Sequence, residues 1–240
     1  MRWRHPKRGL LAPAEFISLA EETGLISPLG RYAVETAAAE LKRWQSYFPL
    51  SEALFCSVNV SGRQILKQDF FDDVVSVLKN QKLSRLSLKL ELTESVIMQN
   101  PDSTARALAR LKEAGAGLAL DDFGTGFSSL AYLQRFPFDT VKIDRSFITD
   151  MARNQETPVI LKSIVRLAHD LDMSVVAEGV ETQAEASRLK SLRCEFAQGY
   201  LFGTPMEATA AYNFIALKGR NAGAPKQLAN PNSGPARIPR

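Results

Sequence analysis

Two adjacent carboxylates close an apolar segment of the sequence. Asp121 and Asp122 follow "GLAL" and precede the glycine-containing loop "FGTGFSSL". Neighbouring negative charges repel each other unless positive charge lies between or beside them. Carboxylate oxygens without histidine or cysteine suit hard divalent cations, Mg²⁺ or Mn²⁺, and disfavour zinc. The pair therefore predicts a metal site at the end of a strand.

Further polar residues alternate with apolar ones in other segments of the chain. They are carboxylates, amides and one lysine: Asn59, Glu91, Lys142, Glu178 and Gln198. With the aspartate pair they could hold two metal ions about 3.5–4 Å apart and activate a water for in-line attack on phosphorus. In such chemistry Lys142 would hold that water or stabilise the phosphoryl oxygens, and Glu178 would accept a proton.

The elements that must position these residues alternate between strand and helix patterns. Predicted strands span 54–60, 86–92, 117–122, 140–144, 174–178 and 196–202. Helix-period segments span 13–23, 28–47, 69–78, 101–114, 130–135, 157–171 and 182–192. This alternation predicts a parallel α/β sheet covered by helices, with the polar residues meeting at the carboxyl ends of the strands. The alternative, polar residues facing solvent, is disfavoured because helices should cover the outer face.

The glycine loop does not match a nucleotide-binding fingerprint. "GTGFSS" has Ser129 where a dinucleotide fingerprint requires glycine, and two acids precede it. No Gly-Lys-Ser/Thr follows, which excludes a P-loop. We therefore predict a loop that lies beside the metals.

Charge and composition exclude several other classes. The net charge is +4, but residues 218–240 hold five basic and no acidic residues, which leaves 25 basic and 26 acidic residues in the body. We therefore predict a flexible basic tail over 218–240 and no nucleic-acid binding. No signal peptide or membrane span is recognisable, so we expect a cytoplasmic domain without membrane contact. Cys56 and Cys194 are expected to be reduced, and His5 and His169 to be structural.

Seven segments resemble, in order and near the family spacing, the motifs of the EAL domain, a bacterial phosphodiesterase that hydrolyses cyclic di-GMP. The resemblance runs from Arg2 to about Leu217. The segments are "RWRHPKRGLLAPAEFISLAEETGLI", "SVNVSGRQ", "ELTES", "DDFGTGFSSL", "VKIDRSFI", "VVAEGVET" and "QGYLFGTP".

The resemblance implies a TIM-like (β/α)₈ barrel with one antiparallel strand, and a substrate held across the carboxyl ends of the strands. By this resemblance Lys142 would position the hydrolytic water and Glu178 would take part in handling its proton. The product would be linear pGpG. The implied metal ligands are Asn59, Glu91, Asp121, Asp122 and Glu178.

The same resemblance implies substrate contacts and a loop support. Arg2 would contact a substrate phosphate, Glu181 would lie at the edge of the site, and Asn59 and Gln198 would complete the contacts. Glu94 in "ELTES" would steady the "DDFGTGFSS" loop, which couples the metal site to a dimer interface in this family. A homodimer, and an upstream sensor or GGDEF domain in a longer parent protein, are the implied partners.

The Glu-Ala-Leu triplet of the family would end immediately before Met1. We therefore expect an EAL domain over 1–217 that lacks its first one or two strands and one metal-binding glutamate, and a chain of low activity by itself. Two other functions stay open at this point. One is a receptor that binds cyclic di-GMP without cutting it, and the other is a different metal-dependent barrel enzyme such as a lyase.

Overall fold

The computed structural model describes residues 1–48, 54–124, 130–151 and 157–219. The strands are β1 Trp3–His5, β2 Gly9–Leu11, β3 Cys56–Asn59, β4 Leu88–Thr93, β5 Gly117–Phe123, β6 Thr140–Ile143, β7 Ser174–Ala177 and β8 Phe196–Ala197. The helices are α1 Ile17–Glu22, α2 Ile26–Tyr47, α3 Gly62–Ile65, α4 Gln68–Gln81, α5 Glu94–Gln99, α6 Pro101–Ala114, α7 Leu130–Arg135, α8 Arg145–Asp150, α9 Thr157–Asp170, α10 Gln183–Ser191 and α11 Ala208–Gly219, with a 3₁₀ turn at Pro13–Glu15.

Six parallel strands form one sheet in the order β3-β4-β5-β6-β7-β8, with helices between consecutive strands. β1 and β2 form a separate antiparallel hairpin. All six predicted strands are confirmed, but β8 is shorter than the predicted 196–202. The chain turns after Ala197, where Gly199 packs so closely on Val180 that an added Cβ would lie 2.1 Å from the Val180 carbonyl oxygen.

The two faces of the sheet differ in polarity. Leu88, Leu90 and Leu92 of β4 are fully buried in the core, which lies between the sheet and its helices. Lys89 and Glu91 alternate with them on the opposite face, because successive side chains of a strand point to opposite sides. Glu91, one of the predicted site residues, therefore lies on the face of the sheet opposite the helix-covered core.

The predicted helices follow local sequence signals. α6 begins at Pro101 and ends before Gly115, which has φ +107° and closes the helix in the left-handed region. The structure adds elements that the periodicity did not predict, including the β1–β2 hairpin, the two one-turn-scale helices α5 and α8, and α11. α5 and α8 are six residues long, too short for a helical period to show.

Cys56 and Cys194 are both free thiols, as predicted. His5 accepts hydrogen bonds at Nδ1 from the backbone N–H groups of Lys7 and Arg8, each at 3.1 Å. His169 lies 2.8 Å from a Glu195 carboxylate oxygen. Among the described helices, none has the length and apolar character that a bilayer crossing requires.

The core between the sheet and its helices allows a prediction about stability. Leu118 of β5 is fully buried, so Leu118→Ala should lower the free energy of unfolding by about 2–5 kcal/mol. The matched control is Leu10→Ala, because Leu10 is 64% exposed and should change stability by less than about 0.5 kcal/mol. Equal losses in denaturant titrations of the two variants would contradict this assignment of the core.

Candidate active site

A single lysine lies at the centre of the polar face. Lys142 of β6 places Nζ 2.7 Å from a Glu91 oxygen, 2.9 Å from an Asp121 oxygen and 2.6 Å from a Glu178 oxygen. These side chains come from β4, β5, β6 and the residue directly after β7. Lys142, Glu91 and Asp121 are buried, and Glu178 is half-buried. The structure therefore brings together four of the residues that the sequence predicted to meet.

A bulge in β5 explains how two adjacent aspartates reach one site. The pairing of β5 with β6 shifts register between Leu120 and Phe123, and Asp122 has φ +55°. In a regular strand, neighbouring side chains point to opposite faces, whereas a bulge re-aims one of them. Aspartate tolerates the left-handed region better than most residues. Asp121 and Asp122 can thus both face the same site.

Negative charge outnumbers positive charge here, and the pKa values reflect that. Burial disfavours the Lys142 ammonium, but its three carboxylate neighbours outweigh burial and raise its pKa. Burial raises the pKa of Glu178, and the contact with Lys142, which lowers this pKa, does not offset burial together with the charges of Asp121 and Glu91. Burial, followed by the charges of Asp121 and Asp144, also raises the pKa of Asp122.

The carboxylates are arranged closely enough to bind a cation. One oxygen each from Asp121, Asp122 and Glu178 lies within 4.8 Å of the others. A set of oxygen ligands with excess negative charge fits a hard divalent ion such as Mg²⁺ or Mn²⁺. The donor set of the described residues is therefore compatible with the predicted type of metal.

Three other predicted residues lie on the strands or helices that border this cluster. Asn59 is exposed at the end of β3, in register with Glu91. Gln198 follows β8 and lines, with Glu91 and Lys142, a cavity of about 740 Å³. Glu94 is buried at the start of α5. Residues 125–129 of the "DDFGTGFSS" loop that it was predicted to steady lie outside the described residues, so that role stays a prediction.

Arg2 and Glu181 are both exposed. Arg2 precedes β1, and Glu181 lies between β7 and α10, where its backbone N–H donates to Glu185 at 2.9 Å. No contact of either side chain with the carboxylate cluster is recorded within the described part of the chain. Their assignment to the substrate stays a prediction.

A second polar level beneath the cluster was not predicted. Lys89, two residues before Glu91, donates from Nζ to Thr140 Oγ1 at 2.6 Å. Burial lowers the pKa of Lys89. The signal was present in the sequence, because Lys89 alternates with leucines as Glu91 does.

Comparison with known families decides the relationship. The family model described as "EAL domain" matches residues 1–205. The chain belongs to the EAL domain family. Its parallel sheet matches solved EAL structures, which have a TIM-like barrel, so the predicted fold class is confirmed.

Relatives of this EAL domain include named cyclic di-GMP phosphodiesterases. NbdA of Pseudomonas aeruginosa is 40% identical over 230 residues, 96% of this chain and 29% of its own length. The PaMucR phosphodiesterase in complex with c-di-GMP has a TM-score of 0.81 and 38% identity, covering 88% of this chain and 84% of that one. The EAL enzyme Bd1971, bound to cAMP and cyclic di-GMP, has a TM-score of 0.83 and 34% identity, covering 89% and 58%. The chain spans between 25% and 35% of the length of the curated relatives it matches.

The raised pKa of Glu178 makes stability depend on pH. The unfolded chain releases this proton near the ordinary value of 4.5, whereas the folded protein keeps it to higher pH. Folding therefore takes up a proton in that window, so this group makes the protein less stable as pH rises through it. Glu178→Gln removes that dependence. The free energy of unfolding of the variant minus that of the unaltered protein should therefore rise with pH from 4.5 and then level off.

Denaturant titrations in EDTA, from about pH 4 to about pH 8, measure this difference. A constant offset between the two proteins reports the lost contact with Lys142, and only its change with pH is informative. Glu181→Gln, at an exposed neighbouring position, is the matched control for loss of a glutamate. A difference that does not vary with pH would contradict the prediction.

Proposed function

We propose that this EAL domain is a metal-dependent phosphodiesterase that hydrolyses cyclic di-GMP to linear pGpG. The observation that carries the proposal is the convergence of Glu91, Asp121 and Glu178 on Lys142, with Asp122 beside them, at the carboxyl ends of the strands. The similarity to NbdA and to the PaMucR complex supports the same substrate.

The proposed metal ligands would hold two divalent ions. A pair of divalent ions would polarise the phosphate and lower the pKa of an attacking water. The burial of Glu91 and Asp121 supports this role, because the surplus of negative charge around one lysine would be stabilised by divalent charge. The residues that would hold the ions are Asn59, Glu91, Asp121, Asp122 and Glu178.

Lys142 and Glu178 would carry the proton and charge movements. The Lys142 ammonium has three donors and three carboxylate neighbours, so it would orient the attacking water by exchanging one of these contacts for the water. Glu178, 2.6 Å from Lys142, would accept the proton of that water on a carboxylate oxygen.

Four residues are proposed to bind the dinucleotide. Arg2 would pair with a phosphate, Glu181 would contact the substrate at the edge of the site, and Asn59 at the end of β3 and Gln198 directly after β8 would donate amide hydrogen bonds. Glu94 would support the loop that follows Asp122. The exposure of Arg2, Asn59, Glu181 and Gln198 supports their availability to a ligand.

The wider context is proposed from the family. We propose Mg²⁺ or Mn²⁺ as the metal, a cytoplasmic location and a homodimer. A sensor or GGDEF domain in a longer protein is supported by the relative MucR, which is named as a bifunctional diguanylate cyclase and phosphodiesterase.

Divalent cations should stabilise the folded protein. Mg²⁺ or Mn²⁺ at about 100 times its dissociation constant should raise the free energy of unfolding by about 2.7 kcal/mol, since the unfolded chain lacks the site. Asp121→Asn should remove most of this gain, which melting curves with and without cation measure. Asp170→Asn, at an exposed site on α9, is the matched control. An equal gain in both variants would place the cation elsewhere.

Hydrolysis should depend on Lys142 and Glu178. Chromatography of cyclic di-GMP incubated with the protein and Mn²⁺ should show pGpG, and EDTA should prevent its formation. Lys142→Met and Glu178→Gln should each lower the rate by at least about 100-fold, because each removes a proton-handling or charge-stabilising group. Lys79→Met, at an exposed position of α4, is the matched control and should keep full activity.

The hydrolysis assay, combined with calorimetric binding, separates the proposed enzyme from the receptor alternative. Calorimetric binding of cyclic di-GMP by folded protein, with no pGpG formed at any cation concentration, would contradict hydrolysis and favour a receptor. Neither binding nor hydrolysis would contradict both functions.

A further inference from the structure

Two cross-strand contacts connect β4 to β6 one above the other. The upper contact joins Lys142 to Glu91 at 2.7 Å, and the lower one joins Lys89 to Thr140 at 2.6 Å. Lys89 lies two residues before Glu91 on β4, and Thr140 lies two residues before Lys142 on β6. Each contact joins residues 51 positions apart. The lower contact thus repeats the geometry of the upper one, with donor and acceptor strands exchanged.

β5 lies between these strands and leaves room for both contacts. Lys89 is in register with Gly117, and Glu91 is in register with Ala119. A Cβ atom at Gly117 would lie 2.7 Å from Lys89 Cγ, closer than side chains approach in proteins. The lysine can therefore cross β5 only because that position has no side chain.

Lys89 is held on several sides. Its Nζ lies 4.4 Å from the centre of the Phe55 ring, which attracts a cation. Thr140 Oγ1 lies 3.0 Å from Ser174 Oγ of β7, which donates to the Asp139 carbonyl oxygen at 3.2 Å. Lys89 is 8% exposed and Thr140 is 1% exposed. A continuous line of hydrogen bonds thus runs from β4 to β7 beneath the acidic cluster.

We propose that the Lys89–Thr140 pair is a positioning element that fixes β4 relative to β6 and so holds Glu91 at Lys142. The proposal rests on the proposed function, because it assigns the pair a part in the same site. Neither residue contacts the cluster directly, so the pair acts through the backbone of its strands. On β4 a single residue separates Lys89 from Glu91, and on β6 a single residue separates Thr140 from Lys142. A shift of either strand at the lower pair therefore also moves the residue of the upper pair on that strand.

The test compares Lys89→Met and Thr140→Val, which remove the hydrogen bond with little change in volume, with Thr140→Ser, which keeps the hydroxyl. Mn²⁺ affinity is measured by electron paramagnetic resonance, and kcat and KM by cyclic di-GMP hydrolysis. Lys89→Met and Thr140→Val should weaken Mn²⁺ binding or lower kcat by about 10- to 100-fold. KM should stay nearly constant, and Thr140→Ser and Lys79→Met should resemble the unaltered protein.

A purely structural role predicts the opposite order at position 140. Serine loses the packed methyl group of threonine, whereas valine keeps the shape, so Thr140→Ser would then be the more damaged variant. That order, or unchanged Mn²⁺ affinity and kcat in both Thr140→Val and Lys89→Met, would overturn the proposal. If Lys89→Met does not fold, the two Thr140 variants still decide.

The Mn²⁺ titration also keeps this proposal separate from the proposed function. Absence of hydrolysis by the unaltered chain would contradict the phosphodiesterase. A selective loss of Mn²⁺ affinity in Thr140→Val would still support the positioning role.

Discussion

The site depends on one buried ammonium group shared by three carboxylates. A carboxylate taken out of water is costly unless a cation or hydrogen bonds compensate it, and Lys142 is in contact with Glu91, Asp121 and Glu178 at once. One positive charge cannot neutralise three acids and the adjacent Asp122. A buried ion pair is weak evidence of stability, because replacing it with well-packed apolar residues often leaves the free energy of unfolding unchanged or raises it. The surplus of negative charge makes this cluster suitable for binding cations.

The strand β5 makes this arrangement geometrically possible. Its polar face carries Gly117 and Ala119 before it reaches Asp121, so side chains from β4 and β6 can meet above a strand that contributes almost no volume. Its other face carries Leu118 and Leu120, which are buried in the core beneath the helices. One short segment thus supports the outer packing and opens the inner face. Small and acidic residues alternate with large apolar ones along β5, which places the former on the polar face and the latter in the core.

The sequence predicted the strands and their polar face because that information is local. A period of two distinguishes Glu91 and Lys142 from the leucines and valines beside them, and Gly115 marks the end of α6. The contacts between strands could not be predicted in the same way, since they depend on register. Lys89 illustrates the difference: its alternation was visible, but its partner Thr140 lies 51 residues away. The bulge at Asp122 was equally invisible, because it appears only in the pairing of β5 with β6.

Asp121 and Asp122 are chemically identical neighbours, yet their backbones make different demands. Asp121 is in register with Thr93 of β4 and is not among the residues with positive φ, so many side chains fit its backbone, whereas Asp122 has φ +55°. Asparagine and glycine accept that conformation readily, but β-branched residues do not. The substitutions that position 121 tolerates are therefore limited mainly by its charge. Those at position 122 are limited by its charge and by its backbone conformation. An EAL domain that lost its chemistry could change the first aspartate freely and would still favour a small, turn-forming residue at the second.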